Sequence, residues 1–268
     1  MRLRKRFSLV ERENILKLAS ECLWTNDGKP GLEYLKDARK LSEKTIRLFS
    51  LGYLPENIKH QLAGRVILPL FDASGSLVAI SSRLVKNSGT DALPVYWHES
   101  YEKQFYLYGL NNAKEWMRKW SFVVVTEGQF DVMQLYDKGI KNVVGLCSTN
   151  LHEMQRAMIN RYCEDIVLVL DKDANLSGQK GTARIKNERY NFEYLDYDLK
   201  NFLKDRYFLD NSTTEQYDKY AFRIGLVDFG DIKDQKMDAD LYIRKYGIKK
   251  MATLVKNALQ GMRNKYGM

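Results

Sequence analysis

Glu127 and Asp131 follow directly on the apolar run Phe122-Val123-Val124-Val125-Thr126, and Asp171 and Asp173 follow on Ile166-Val167-Leu168-Val169-Leu170. Carboxylates are hard oxygen donors, and several crowded together repel one another unless a cation sits among them. Magnesium suits such a set, because it takes a few carboxylates, keeps waters and binds substrate phosphates. The chemistry implied is metal-assisted handling of phosphates. Each pair alone has a plainer reading. Glu127 and Asp131 could be a surface glutamate and a helix cap, and Asp171 and Asp173 could be a turn and a cap. A third pair, Asp238 and Asp240, has the same spacing immediately before a helical stretch, and reads as capping within an acidic loop.

The elements that must position these residues are legible around them. A β-branched run that ends abruptly in charge reads as a buried parallel strand, and ligands bind at the carboxyl edge of open parallel sheets. Gly128 permits a tight turn after Glu127, which places Asp131 near a helix N-terminus, where an anion is favoured. In extended geometry the alternation Asp171-Lys172-Asp173 points both carboxylates to one face. From 122 onward the pattern alternates: strands at 122–126, 142–146 and 166–170, helices at 131–138 and 151–162. That order predicts a parallel sheet with right-handed crossovers.

Upstream, residues 8–23 have helical spacing, with Ser8 as N-cap and Glu11 completing a capping box. Residues 26–31 read as a loop, 32–41 as a second helix, and Ser42 caps a third that ends near Gly52. The period then changes. Strands are expected at 66–71 and 77–81, joined by a hairpin loop at 72–76, and a helix at 111–120 leads into the Phe122 strand. Residues 86–92 are polar and read as exposed. After Asp173 come a polar, tyrosine-rich helical stretch to about 206, a loop or insertion at 210–219, a short strand at 222–227 and a closing helix at 241–265.

The 268 residues carry 43 lysines and arginines against 34 acidic residues, a net charge of +9. A solvated basic surface accounts for this excess. Among specific partners nucleic acid fits best, because clustered cations release counterions from a phosphate backbone. With hydrophobic residues at 44%, the chain is a folded globule rather than a disordered one. Three cysteines without a CxxC pair exclude a disulfide framework, and three scattered histidines exclude a zinc site within this sequence. No signal-peptide pattern or membrane-spanning run is present, which predicts a cytoplasmic protein with no membrane partner.

The order of the acidic motifs resembles the Toprim domain, the metal-binding fold shared by DnaG-type primases, topoisomerases and some nucleases. Thr126-Glu127-Gly128-Gln129-Phe130-Asp131 matches its glutamate motif, and Asp171-Lys172-Asp173 its Asp-x-Asp motif. The preceding half resembles the DnaG-type primase core. The matching segments run from Tyr34-Leu35 through Leu41-Ser42-Glu43-Lys44-Thr45-Ile46 to Phe49-Ser50-Leu51-Gly52-Tyr53-Leu54-Pro55. They continue with Gly64-Arg65-Val66-Ile67-Leu68-Pro69, Ser82-Arg83 and Leu107-Tyr108-Gly109-Leu110. Asp238-Ala239-Asp240-Leu241 with Arg244-Lys245-Tyr246-Gly247 resembles the family's last acidic motif.

The resemblance implies an α+β N-terminal subdomain (1–119), an α/β Toprim domain of mainly parallel sheet flanked by helices (120–240) and a C-terminal helical segment (241–268). It implies DNA primase activity: short RNA primers made on single-stranded DNA from ribonucleoside triphosphates. By the same resemblance Glu127, Asp131, Asp171 and Asp173 are catalytic. Glu127, Asp171, Asp173, Asp238 and Asp240 hold Mg2+ or Mn2+, and Arg65, Arg83 and Lys103 bind nucleotide or template. Tyr96, Trp97, Tyr101, Phe105 and Tyr106 either stack on bases or pack internally.

Departures from the family pattern are Val95 in place of a lysine, Cys147-Ser148 in place of Gly-Thr, and an expanded 187–231. No zinc ribbon and no helicase motif occur, so a separate zinc-bearing template-recognition protein and a replicative helicase are expected as partners in a primosome. The setting is a bacterial or phage-infected cell. A Toprim nuclease using the same metals, or a catalytically weak module binding single-stranded nucleic acid, are the alternatives.

Overall fold

The computed structural model describes residues 6–85, 94–148, 151–171, 223–229, 237–265 and 267–268. Asp173, the polar stretch at 86–92 and the helical reading to 206 fall outside or almost wholly outside these residues. The chain has an α+β first half, then a parallel α/β sheet and C-terminal helices.

Helix α1 (Leu9–Cys22) starts on the expected capping box. The Glu11 amide donates to Ser8 Oγ at 3.3 Å, and the Ser8 amide donates to Glu11 Oε2 at 2.7 Å. Pro30 sits in the first turn of the short α2 (Lys29–Glu33), where its missing N–H is harmless. A π-helical turn, Tyr34–Ala38, follows at once, so the expected helix at 32–41 starts earlier and ends earlier. α3 (Glu43–Leu48) begins at the Ser42 cap.

The strands of the first half are β1 (Gly52–Leu54), β2 (Arg65–Phe71), β3 (Leu77–Leu84) and β4 (Tyr96–His98), in antiparallel order β1-β2-β3-β4. Only β2 and β3 are expected from the sequence. Their hairpin turns on Asp72, whose Oδ1 accepts from the Ser74 and Ser76 amides at 2.9 and 3.0 Å. Pro69 lies beyond the three β2 positions paired with β1, so its missing N–H costs nothing on that side.

Among the described residues the named strands of the second sheet pair in parallel, in the order β6-β5-β7-β8: β5 (Phe122–Thr126), β6 (Val143–Gly145), β7 (Asp165–Val169) and β8 (Arg223–Leu226). Both faces are covered, which is why its strands read as continuous apolar runs. Val123, Val125, Ile166 and Leu168 point toward α4 (Leu110–Trp120) and α6 (Glu153–Asn160). Val124, Val143, Val167 and Val169 point into a larger core with α5 (Gln129–Asp137) and the C-terminal helices. That core also takes Leu35, Phe49, Tyr53 and Val66, so the two halves share one apolar interior.

The closing helix expected at 241–265 is two helices, α7 (Ala239–Tyr246) and α8 (Ile248–Lys265). Gly247 between them has φ +84°, a left-handed conformation that glycine adopts at little cost and that ends α7. Among the described residues no helix is long and apolar enough to cross a membrane.

Candidate active site

The pairing of β5 with β7 aligns Thr126 with Val169, so the two chain ends leaving the sheet emerge side by side. Glu127 and Asp171 are these exits. They meet directly: the Asp171 amide donates to Glu127 Oε1 at 3.1 Å. Gly128 then turns the chain into α5, and Asp131 in its first turn is buried at 6% exposure. Adding a Cβ to Gly128 would bring it within 2.5 Å of Asp131 Oδ2, so the glycine makes room for that carboxylate.

The third acidic segment arrives from far along the chain. The Asp240 amide donates to Asp131 Oδ1 at 2.8 Å, across 109 residues. Asp238 caps α7, its Oδ1 accepting from the Leu241 amide at 2.7 Å. Burial raises the Asp131 carboxyl well above the ordinary carboxylate range, and the charges of Asp238 and Asp171 push it further the same way. The structure therefore brings Glu127, Asp131, Asp171, Asp238 and Asp240 to one sheet edge. Among the described residues no three acidic, histidine or cysteine side chains already form a closed metal-ligand group. Asp173, the remaining expected ligand, lies outside them.

Asp240 differs from its neighbours. Its side chain is 2% exposed and is held by the guanidiniums of Arg39 and Arg244, with Arg244 Nε at 3.0 Å from Oδ1 and Nη2 at 3.1 Å from Oδ2. Arg39 is placed by Tyr34, whose hydroxyl accepts from its Nε at 2.7 Å, and by Phe130, over which it stacks at 4.2 Å. Burial alone would lower the Arg39 pKa, but Tyr34 and Asp240 outweigh that and raise it. Sequence reasoning missed Arg39. Nothing local marks it, because its partner is 201 residues away.

The three expected nucleotide-binding cations have different settings. Arg65 is fully buried, and its guanidinium donates to the carbonyls of Pro94 and Val95 at 2.6 and 3.3 Å. Burial lowers its pKa. Its side chain is thus turned onto the 94–95 backbone, whose position it anchors. Arg83 is half-buried, with its guanidinium 4.7 Å from the Tyr96 ring centroid and 5.4 Å from that of Tyr34. Lys103 donates from Nζ to the Cys147 carbonyl at 2.8 Å, just beyond the end of β6. The Cys147 amide in turn donates to the Glu127 carbonyl at 3.1 Å, so Lys103 is tied to the acidic edge through one residue.

Gln155, also unforeseen, fixes this corner. Its buried Nε2 faces the carbonyls of Lys103, Tyr106 and Leu146 at 3.1, 2.9 and 3.3 Å. Of the aromatic candidates, Trp97 packs in the core against Phe7. Tyr101 and Tyr106 meet edge-on, and Tyr96, 40% exposed, stacks over His98.

Residues 121–200 match the Toprim domain family. Over nearly the whole chain the structure superimposes on the DnaG catalytic core, with a TM-score of 0.69 at 18% identity, covering 94% of this chain and 80% of that one. The chain carries a Toprim domain and has the fold of the DnaG catalytic core. The Aquifex aeolicus primase, comprising zinc-binding and RNA polymerase domains, superimposes with a TM-score of 0.67 at 19% identity, covering 96% of this chain and 64% of that one. The DnaG primase catalytic domain bound to single-stranded DNA gives 0.69 at 17% identity, covering 94% of this chain and 81% of that one. In sequence, the DNA primase of Myxococcus xanthus is 31% identical over 211 residues, 62% of this chain and 34% of that protein. That of Synechococcus elongatus is 27% identical over 201 residues, 63% of this chain and 29% of that protein. The chain thus spans about a third of the length of these curated relatives.

Proposed function

We propose that this chain is a DNA primase catalytic core, which makes short RNA primers on a single-stranded DNA template from ribonucleoside triphosphates. The observation that carries the reading is the meeting of Glu127 with Asp171 at adjacent parallel strand ends, beside a buried Asp131 crowded by Asp238. The donors there are all carboxylates, which fit Mg2+ or Mn2+ rather than a softer metal, and the repulsion at Asp131 is what a divalent cation relieves. Glu127, Asp171 and Asp238 are the described residues that would hold it, with Asp173 extending the set. A metal held there would supply Lewis acidity, favouring ionisation of an attacking 3′-hydroxyl and offsetting charge on a leaving pyrophosphate.

The rest falls to the chain's own groups. Lys103, its ammonium anchored by one carbonyl, has further N–H donors to turn toward a triphosphate. Arg83, stacked against Tyr34 and Tyr96, offers a planar cation for phosphate or base. The domain limits follow the same reading: 1–119 guides template, 120–240 holds the metal, 241–268 closes the edge. Template recognition by a separate zinc-bearing protein and delivery by a helicase, in the cytoplasm of a bacterial or phage-infected cell, complete the proposal.

The test is an incubation of the protein with single-stranded DNA, Mg2+ or Mn2+ and labelled ribonucleotides. Oligoribonucleotides that vanish in Asp171→Asn and Glu127→Gln are the expected result. Shortened DNA without synthesis would replace the primase with a Toprim nuclease, and shifted DNA with neither product would leave a binding module.

A further inference from the structure

We propose that Asp240 is a positioning residue rather than a metal ligand, and that the Arg39–Asp240–Arg244 cluster sets the acidic edge by holding Asp131. The proposal deepens the primase reading and rests on the metal site assigned there.

Three guanidinium hydrogen bonds fall on the Asp240 carboxylate: Arg39 Nη1 and Arg244 Nη2 on Oδ2, and Arg244 Nε on Oδ1. A carboxylate has about four lone-pair sites, so its capacity is nearly filled before any metal approaches. Two cations against one anion leave the spot locally positive, and a divalent ion would have to displace a buried guanidinium to bind there. What Asp240 offers the site is its main chain. Its amide gives the 2.8 Å hydrogen bond to Asp131 Oδ1.

Arg39 supplies the rigidity. Its Nε is held by Tyr34, its guanidinium lies on Phe130, and its own carbonyl accepts from Gln134 Nε2. Phe130 and Gln134 flank Asp131 on α5, so one arginine from the helical first half grips the catalytic helix and the last acidic segment together. The cluster thus couples three segments separated by up to 201 residues. Its removal is expected to leave the ligands present and the geometry loose.

The experiment compares Asp240→Asn, Arg39→Met, Arg39→Lys, the double variant Arg39→Met/Asp240→Asn and Asp171→Asn in the full chain. Mn2+ binding is counted by electron paramagnetic resonance, primer synthesis is resolved into kcat and nucleotide KM, and thermal unfolding reports folding. Asp240→Asn is expected to bind the wild-type number of Mn2+ ions, while Asp171→Asn binds fewer. kcat should fall about tenfold in Asp240→Asn and Arg39→Met with KM unchanged, as for a residue that orients ligands. The double variant should lose no more than either single, since all three break one unit, and Arg39→Lys should recover part of the loss. Loss of a Mn2+ ion in Asp240→Asn equal to that in Asp171→Asn overturns the proposal, as does a double variant whose losses multiply. Because Mn2+ is counted without turnover, a wild-type protein that makes no RNA would defeat the primase reading and still leave Asp240 decided.

Discussion

The two sheets seen among the described residues set single charges in opposite ways. In the antiparallel sheet the cation at the start of β2 is turned inward, with Arg65 buried against two carbonyls. At the carboxyl edge of the parallel sheet, burial raises the Asp131 pKa, and the like charges around it push the same way. Arg65 in the first sheet holds the protein to itself. At the second, the Asp131 charge is held against burial and repulsion, a cost that a bound cation or a proton offsets. The contrast separates residues whose loss should lower stability from residues whose loss should lower activity.

The largest expected effect is at the second sheet. Asp171→Asn should reduce primer synthesis on the order of 10²–10³-fold, as when a preorganised electrostatic group is removed, with unfolding free energy unchanged or higher. A matching loss of stability would break the contrast. Arg65→Ala should do the reverse. Loss of two buried hydrogen bonds and creation of a cavity should destabilise by about 3 kcal/mol, read by denaturant unfolding, with the KM for nucleotides unchanged in the protein that remains folded. Lys103→Ala lies between the two regions. It should raise nucleotide KM by about tenfold, the worth of one charge-assisted hydrogen bond, and the difference from wild type should shrink as salt rises.

The smallest effect is in pH. Asp131 has a folded pKa raised above its unfolded value, so the folded protein holds its proton more tightly. Its contribution favours folding at low pH and is lost as pH rises through the folded pKa. Without divalent metal, thermal stability should therefore fall across that range. Asp131→Asn should flatten the fall, and so should Mg2+. A wild-type curve already flat in metal-free buffer would show that the edge is not strained.

The sheet edge was the most legible part of the sequence, because β-branched runs ending in Glu127 and Asp171 carry both element and site in adjacent residues. The hairpin and the α1 capping box were legible for the same reason. What escaped was either short or distant. β1 and β4 are three residues each, too brief for any period to declare itself, and they are strands only because β2 and β3 supply their partners. Arg65 reads as a surface cation until the backbone of 94–95 folds over it. Arg39 has no local signature at all, since its role depends on Asp240 and Phe130. Gly247 could have been suspected as a helix stop, but the apolar spacing continues across it.

The hydrogen bond between Asp131 and the Asp240 amide also sets an order in time. A ribosome releases the strand-end carboxylates well before the segment that holds Asp131 in place, and domains generally fold from the N-terminus during synthesis. Glu127 and Asp171 leave the ribosome before Asp240 does, and the Asp131 carboxylate waits for that residue, 109 positions after itself. The complete acidic edge therefore arrives late, with α7, and a product stalled before it would lack both the Asp131 partner and part of the core that covers the parallel sheet.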